Sequence, residues 1–190
     1  MSKAVMLSIR PKWVEKIANG EKTIEVRKTK PKLETPFKCY IYCTLPKYPH
    51  EDYIATDYPR PQFYGGGKVI GEFTCERIAL IAYDGGRLWC PTNAAFSPAT
   101  CLSQAEIIAY IGDKGRCYGW HISNLKIYDA PKKLGEFWRN CLEYSELSTN
   151  CWSCENVCGD GDETDCNTDG RLYLRRPPQS WCYVEAMKDE

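Results

Sequence analysis

Lys22, Glu25 and Arg27 fall within six consecutive residues, and a carboxylate set between two cations is suited to paired-charge chemistry and to holding an anionic ligand. A second constellation lies far downstream, where Cys151-x2-Cys154-x3-Cys158-x7-Cys166 occupies a Gly/Asp-rich stretch from 149 to 170 with almost no apolar residues. Such a stretch cannot fold by burying a core, so something else must hold it. Four thiolates bind zinc tetrahedrally at about 2.3 Å, and a Cys-x2-Cys pair sets two sulfurs on one metal, so a structural zinc is expected on Cys151, Cys154, Cys158 and Cys166. Disulfides or disorder are the alternatives, and Cys141 is an alternative ligand to Cys158 or Cys166. Asp160, Asp162, Asp165 and Asp169 lack the spacing of a calcium-binding EF-hand loop and are expected to be solvated.

The elements that must position the charged triplet are legible nearby. Pro11 to Asn19 is expected to form a short amphipathic helix, with Pro11 in its first turn, Trp13, Val14 and Ile17 at helical spacing, and Gly20 closing its C-terminus. Thr23 to Lys28 then alternates, Ile24 and Val26 on one face and Thr23, Glu25 and Arg27 on the other, as in a half-buried strand. That puts Glu25 and Arg27 on one open face with Lys22 at its lip. The bland alternative is a solvated Glu25–Arg27 ion pair, worth less than about 1 kcal/mol. Further strands are expected at Ala4–Ile9, Phe37–Thr44, Lys68–Tyr83 with a break near Glu76, Tyr118–Tyr128 and Trp181–Ala186. A second helix follows the capping box Ser103-Gln104-Ala105-Glu106, and a third is expected from Leu134 to about Leu147, where Leu134, Phe137, Trp138, Cys141 and Leu142 recur on one side.

Length and composition fit one domain over residues 1–190, with a tyrosine-rich loop at 45–67 and the Cys-rich insertion at 149–170. Twenty-five basic and twenty-five acidic side chains cancel, which excludes a large nonspecific electrostatic grip on nucleic acid and confines any such site to a local patch. The apolar run Ala4–Leu7 is too short for a signal peptide, and no stretch approaches the roughly 18 apolar residues of a membrane span, so a cytoplasmic protein without membrane contact is expected. Seven of the twelve cysteines, Cys39, Cys43, Cys75, Cys90, Cys101, Cys117 and Cys182, are expected to act as small buried hydrophobes.

Gly20, Lys22, Glu25 and Arg27 match the G-x-K-x-x-E-x-R motif of the ASCH domain, a branch of the PUA-like superfamily. Leu7–Trp13, Gly67–Phe73, Tyr118–Ser123 and Arg176–Glu185 also resemble phage and bacterial members, so the resemblance runs from residue 5 to 186. It implies an α+β fold built on a small PUA-like β-barrel of about five or six strands, with peripheral helices and the Cys-rich loop as an insertion.

The resemblance also implies an association with RNA. On that reading Lys12, Lys22 and Arg27 hold phosphates, Glu25 completes the site at the barrel mouth, and Trp13, Trp120 or Trp181 stacks an unpaired base. Trp13 has an alternative place in the core, Trp120 and Trp181 in strand packing, and His121 a structural one. Some family members are amidohydrolases of N4-acetylcytidine, which use a Lys at the place of Lys22, a Thr at the place of Glu25 and a later Glu, for which Glu106 stands in a comparable helix. Here Glu25 replaces the hydroxyl, so the implied chemistry becomes water activation with Lys22 and Glu25 as catalytic residues and Arg27 facing the oxyanion. Other members are linked to ribonuclease activity, in which Glu25 would take the 2′-hydroxyl proton. A third reading makes the chain a protein-interaction adaptor acting through the Cys-rich insertion and the tyrosine-rich loop.

Overall fold

The computed structural model describes residues 2–45, 53–55, 62–90, 96–140 and 171–187, with backbone alone at 53–55, 62–64 and 96–97. In chain order the elements are β1 (Lys3–Ile9), α1 (Pro11–Ala18), β2 (Ile24–Arg27), β3 (Phe37–Cys43), β4 (Tyr53–Ala55), β5 (Gln62–Tyr64), β6 (Lys68–Tyr83) and β7 (Leu88–Trp89). They continue with α2 (Phe96–Thr100), α3 (Gln104–Ile111), β8 (Arg116–Lys133), β9 (Trp138–Asn140), β10 (Arg171–Tyr173) and β11 (Trp181–Glu185). Short 3-10 turns at Gly112–Lys114 and Leu134–Glu136 precede β8 and β9.

The main sheet has the order β11-β1-β3-β6-β8-β2, with β7 added to β6. β1 and β3 run parallel and the other neighbours antiparallel. Trp120 on β8 and Trp181 on β11 are four places apart in this order, which in a flat sheet is roughly 19 Å at 4.7–4.9 Å per step. Their ring centroids are 6.1 Å apart, so the sheet is strongly curled. Three register shifts between β6 and β8 produce much of that curl, since each bulge sharpens the local twist. One lies between Cys75 and Ile78, where the sequence suggests a break at Glu76: the strand bulges there and continues. At Gly71, in another irregular stretch, a Cβ would run into the Lys126 carbonyl, so the close approach of β6 and β8 requires glycine.

Curling does not become closure. Among the described residues β11 and β2 form no ladder with each other, so the architecture is an α+β fold around an open, curled sheet rather than the closed small barrel expected. The concave side holds the main core, where Val5, Leu7, Ile9, Ile41 and Phe73 meet Val14 and Ile17 of α1 and Trp120 of β8. The outer side of β2 is covered as well: Ile24 and Val26 pack with Ile107 and Ile111 of α3 and Ile81 of β6. β2 is therefore buried on both faces, not half-buried as its alternation implies.

The expected helix from Leu134 is overturned in its described part. Leu134–Glu136 forms one 3-10 turn, Phe137 is extended, and Trp138–Asn140 is a strand paired with β10. Phe137 is fully buried with its ring 4.8 Å from that of Tyr40, and Trp138 lies 6.0 Å from Tyr173. Two apolar partners on opposite sides favour alternation over a helical stripe. Residues 141–147 of that helix, Cys141, and the proposed zinc ligands Cys151, Cys154, Cys158 and Cys166 lie outside the described residues, and so does the insertion at 149–170. Part of the tyrosine-rich loop forms the β4–β5 hairpin.

Cys39, Cys43, Cys75 and Cys117 are fully buried, and Cys90, Cys101 and Cys182 partly so; none is in a disulfide. Burial pushes the thiols of Cys75 and Cys117 up to about 12 and that of Cys182 to about 11, which keeps them protonated at neutral pH. No helix among the described residues is long and apolar enough to cross a membrane.

Candidate functional site

The charged triplet is brought together by the way α1 ends. Gly20 takes a positive φ of 73°, a conformation open to glycine at little cost, and the chain doubles back so that Lys22 N donates to the Lys16 carbonyl at 2.9 Å. Thr23 N then donates to the Ala99 carbonyl at 2.9 Å, fixing the start of β2 to α2. The Lys22 side chain consequently points inward rather than standing at an open lip, and only 2% of the residue is exposed.

Lys22 Nζ donates to the Thr100 carbonyl at 2.6 Å and lies 3.4 Å from Glu25 Oε2. The other carboxylate oxygen, Oε1, lies 3.1 Å from Arg27 Nε. That contact is an ion pair without hydrogen-bond alignment, since the same N–H has no aligned acceptor among the described residues. Arg27 also reaches across the open edge of the sheet: Nη2 donates to the Ser8 carbonyl of β1 at 2.7 Å, and Nη1 to Ser180 Oγ, just before β11, at 3.4 Å. Ser8 Oγ donates to the Pro178 carbonyl at 2.6 Å, tying β1 to the same segment. The solvated ion pair considered above is therefore replaced by a buried network of three charges, in which Lys22 and Arg27 also hold backbone carbonyls.

A cavity of about 820 Å³ opens over this network, within the roughly 300–1,000 Å³ typical of ligand sites. Trp13, Lys22, Glu25 and Arg27 all line it. Arg10, Lys22, Arg27, Lys28 and Lys114 contribute five basic groups to the wall, against the two carboxylates of Glu25 and Glu106. The zero net charge of the chain thus conceals a basic cavity.

The aromatic and basic candidates divide. Trp13 is half-buried on the cavity wall, with Lys22 Nζ 5.2 Å and Lys12 Nζ 4.7 Å from its ring centroid, whereas Lys12 itself is exposed and is not among the described residues lining the cavity. Trp120 is not available as a stacking platform: it is fully buried, edge-on to Phe37 at 5.8 Å and tilted against Trp181. Trp181 is engaged elsewhere, its Nε1 donating to Thr29 Oγ1 at 2.9 Å and its ring 5.4 Å from that of Tyr183. Glu72 is held by Lys38 at 3.4 Å and by the Tyr128 hydroxyl at 2.7 Å, and is not among the described residues lining the cavity. His121 is half-buried, and burial with Arg77 nearby holds its imidazole below the usual range, hence neutral at pH 7. Ser8, Thr100 and Ser180 belong to the site although the triplet gives no hint of them. The first and last lie in stretches that carry the family resemblance, whereas Thr100 serves Lys22 through its carbonyl, which any residue type supplies.

Glu106 lines the cavity but is already occupied. Its Oε2 accepts from Ser103 N at 2.8 Å and from Ser103 Oγ at 2.9 Å, while Ser103 Oγ accepts from Glu106 N, completing the capping box of α3. Those bonds lower its pKa below the ordinary 4.5, which makes it a weaker base. A carboxyl with a depressed folded-state pKa stabilises the fold above its unfolded pKa and loses that contribution as pH falls through the folded value. Glu106→Gln is therefore expected to lower the melting temperature at pH 7 and to match the parent well below pH 4.5. An equal deficit at both pH values in paired thermal melts would rule out the carboxylate cap.

No family model matches the sequence, and no curated protein matches it. Among solved structures, the chain resembles the crystal structure of ASCH from Zymomonas mobilis, at 16% identity and a TM-score of 0.53, with 96% of this chain and 87% of that one covered. A serine-to-alanine mutant of that protein gives 15% identity and a TM-score of 0.52, covering 96% and 88%. The likeness is one of fold and agrees with the resemblance carried by Gly20, Lys22, Glu25 and Arg27: this chain has the fold of an ASCH domain.

Proposed function

We propose that the chain binds RNA, or an RNA nucleoside, in the cavity over Lys22, Glu25 and Arg27. The observation that carries this reading is the composition of the cavity wall, where buried charges hydrogen-bonded to backbone are combined with a half-buried tryptophan and a surplus of basic groups. Arginine and lysine match phosphate, the Trp13 ring suits a base, and the Glu25 carboxylate accepts from an exocyclic amine. The ASCH fold is in keeping with such a ligand.

Arg10 and Lys28 are exposed, so replacing them tests the site without disturbing its buried part. Arg10→Ala with Lys28→Glu is expected to weaken binding of a short unpaired RNA by roughly tenfold at low salt, measured by fluorescence anisotropy. Unchanged affinity would remove the cavity from consideration.

Hydrolysis of a modified nucleoside such as N4-acetylcytidine, or of RNA, is the second reading. It is favoured by the 3.4 Å approach of Lys22 Nζ to Glu25 within the same cavity. Chromatographic assay of N4-acetylcytidine and RNA on the same sample separates a binder from an enzyme. The adaptor reading rests on the Cys-rich insertion and the tyrosine-rich loop and gains no support from the described residues.

A further inference from the structure

The β9–β10 ribbon and the segment that follows it form a surface the cavity does not account for. The ten residues 171–180 contain Arg171, Arg175 and Arg176 and no acidic residue, a local positive excess in a chain whose total charge is zero. Arg175 and Arg176 are exposed. The ribbon is anchored from beneath: Leu172 is buried, and Leu174 N donates to the carbonyl of the fully buried Phe137 at 2.8 Å. Its other face stacks. The Arg171 guanidinium lies 5.0 Å from the Trp138 ring centroid, and Trp138 faces Tyr173, an exposed ring 6.0 Å away. Immediately after Arg176 the chain enters the cavity wall at Pro177, Pro178, Gln179 and Ser180. A basic, aromatic stretch is thus followed directly in the chain by the cavity wall.

We infer that this strip carries the flanking nucleotides of a single-stranded polynucleotide whose unpaired base occupies the cavity, with Arg175 and Arg176 on its phosphates and Tyr173 stacking a neighbouring base. The inference rests on the proposed cavity function and deepens it, because it makes the ligand a polymer rather than a free nucleoside. Alternation of cations with aromatic rings is how proteins follow single strands without pairing to them. An anionic membrane would answer the arginines and the interfacial rings but, as an extended surface, would not follow the chain into the concave cavity at residues 177–180.

The test compares binding of a mononucleotide, an unstructured RNA of about ten nucleotides and the DNA of the same sequence, at about 50 and about 200 mM salt. The variants are Arg175→Gln with Arg176→Gln, and Tyr173→Ala, with thermal melts confirming that each folds. The double arginine variant is expected to weaken decamer binding by roughly tenfold and to reduce the salt slope by about 1.4, as expected for two lost phosphate contacts on a single strand. Tyr173→Ala is expected to weaken decamer binding by roughly tenfold with the slope unchanged. Neither affects the mononucleotide. The DNA arm shows whether the strip distinguishes the sugar. If decamer and mononucleotide bind equally, or the strip variants bind the decamer as the parent does, the inference fails while the cavity reading stands. If no nucleic acid binds and anionic phospholipid vesicles do, both fail.

Discussion

Glu25→Ala is expected to destabilise the protein by about 3–5 kcal/mol, because it leaves Lys22 and Arg27 facing each other in a buried site without their shared counter-charge. A loss of that size is a large part of a typical domain stability of about 5–15 kcal/mol. The network is not therefore a source of net stability, since desolvation of its charges offsets much of their attraction. What makes the loss large is the uncompensated remainder. Combining Lys22→Met with Glu25→Ala should accordingly cost less than the sum of the two single changes: Arg27 keeps the Ser8 carbonyl and Ser180, while Thr100 loses only a donor to its carbonyl. Urea unfolding of the two single variants and the double variant measures this. Strictly additive losses, each below about 1 kcal/mol, would mean that the charges are solvated as in an ordinary surface pair.

Trp120→Ala is the second large effect, at about 3–5 kcal/mol, since the indole is fully buried between Phe37 and Trp181 and the curled sheet cannot collapse onto the void. Trp120→Phe is expected to cost far less. Its smaller ring leaves a partial cavity, but it also removes Nε1, a buried donor with no acceptor among the described residues. Urea midpoints should therefore rank the parent and the Phe variant close together, with the Ala variant well below. A Phe variant as damaged as the Ala variant would mean that the indole N–H is satisfied and matters. Loss of RNA binding in a fully folded Phe variant would return Trp120 to the ligand site.

What was legible in the sequence follows the range of the interactions involved. Pro11 and Gly20 bound α1, and Ser103 with Glu106 starts α3, because caps are local and side-chain chemistry alone decides them. Alternation likewise marks β2 and puts Ile24 and Val26 together on one face, the face that packs against α3. The burial of Lys22 was not legible, because its partner is a carbonyl 78 positions away, and Arg27 meets Ser180 at a separation of 153. Leu134, Phe137 and Trp138 show the limit of periodicity: a stripe that fits a helix also fits a turn and a strand when Tyr40 and Tyr173 wait on opposite sides. Whether the sheet closes depends on bulges whose positions no residue type announces, Gly71 being the partial exception.

Arg27 joins the two ends of the open sheet and also lines the cavity, and this double duty bears on how such a site diversifies. A change at Arg27 alters the ligand field and the curvature of the sheet together, so most such changes are lost as failures of folding before their selectivity is ever tried. Variation is cheaper at Lys28 and Gln179, which are exposed on the same wall and carry no part of the curl. Relatives with other ligand preferences should therefore differ at the rim while keeping the arginine, and redesign of specificity has its freest ground there.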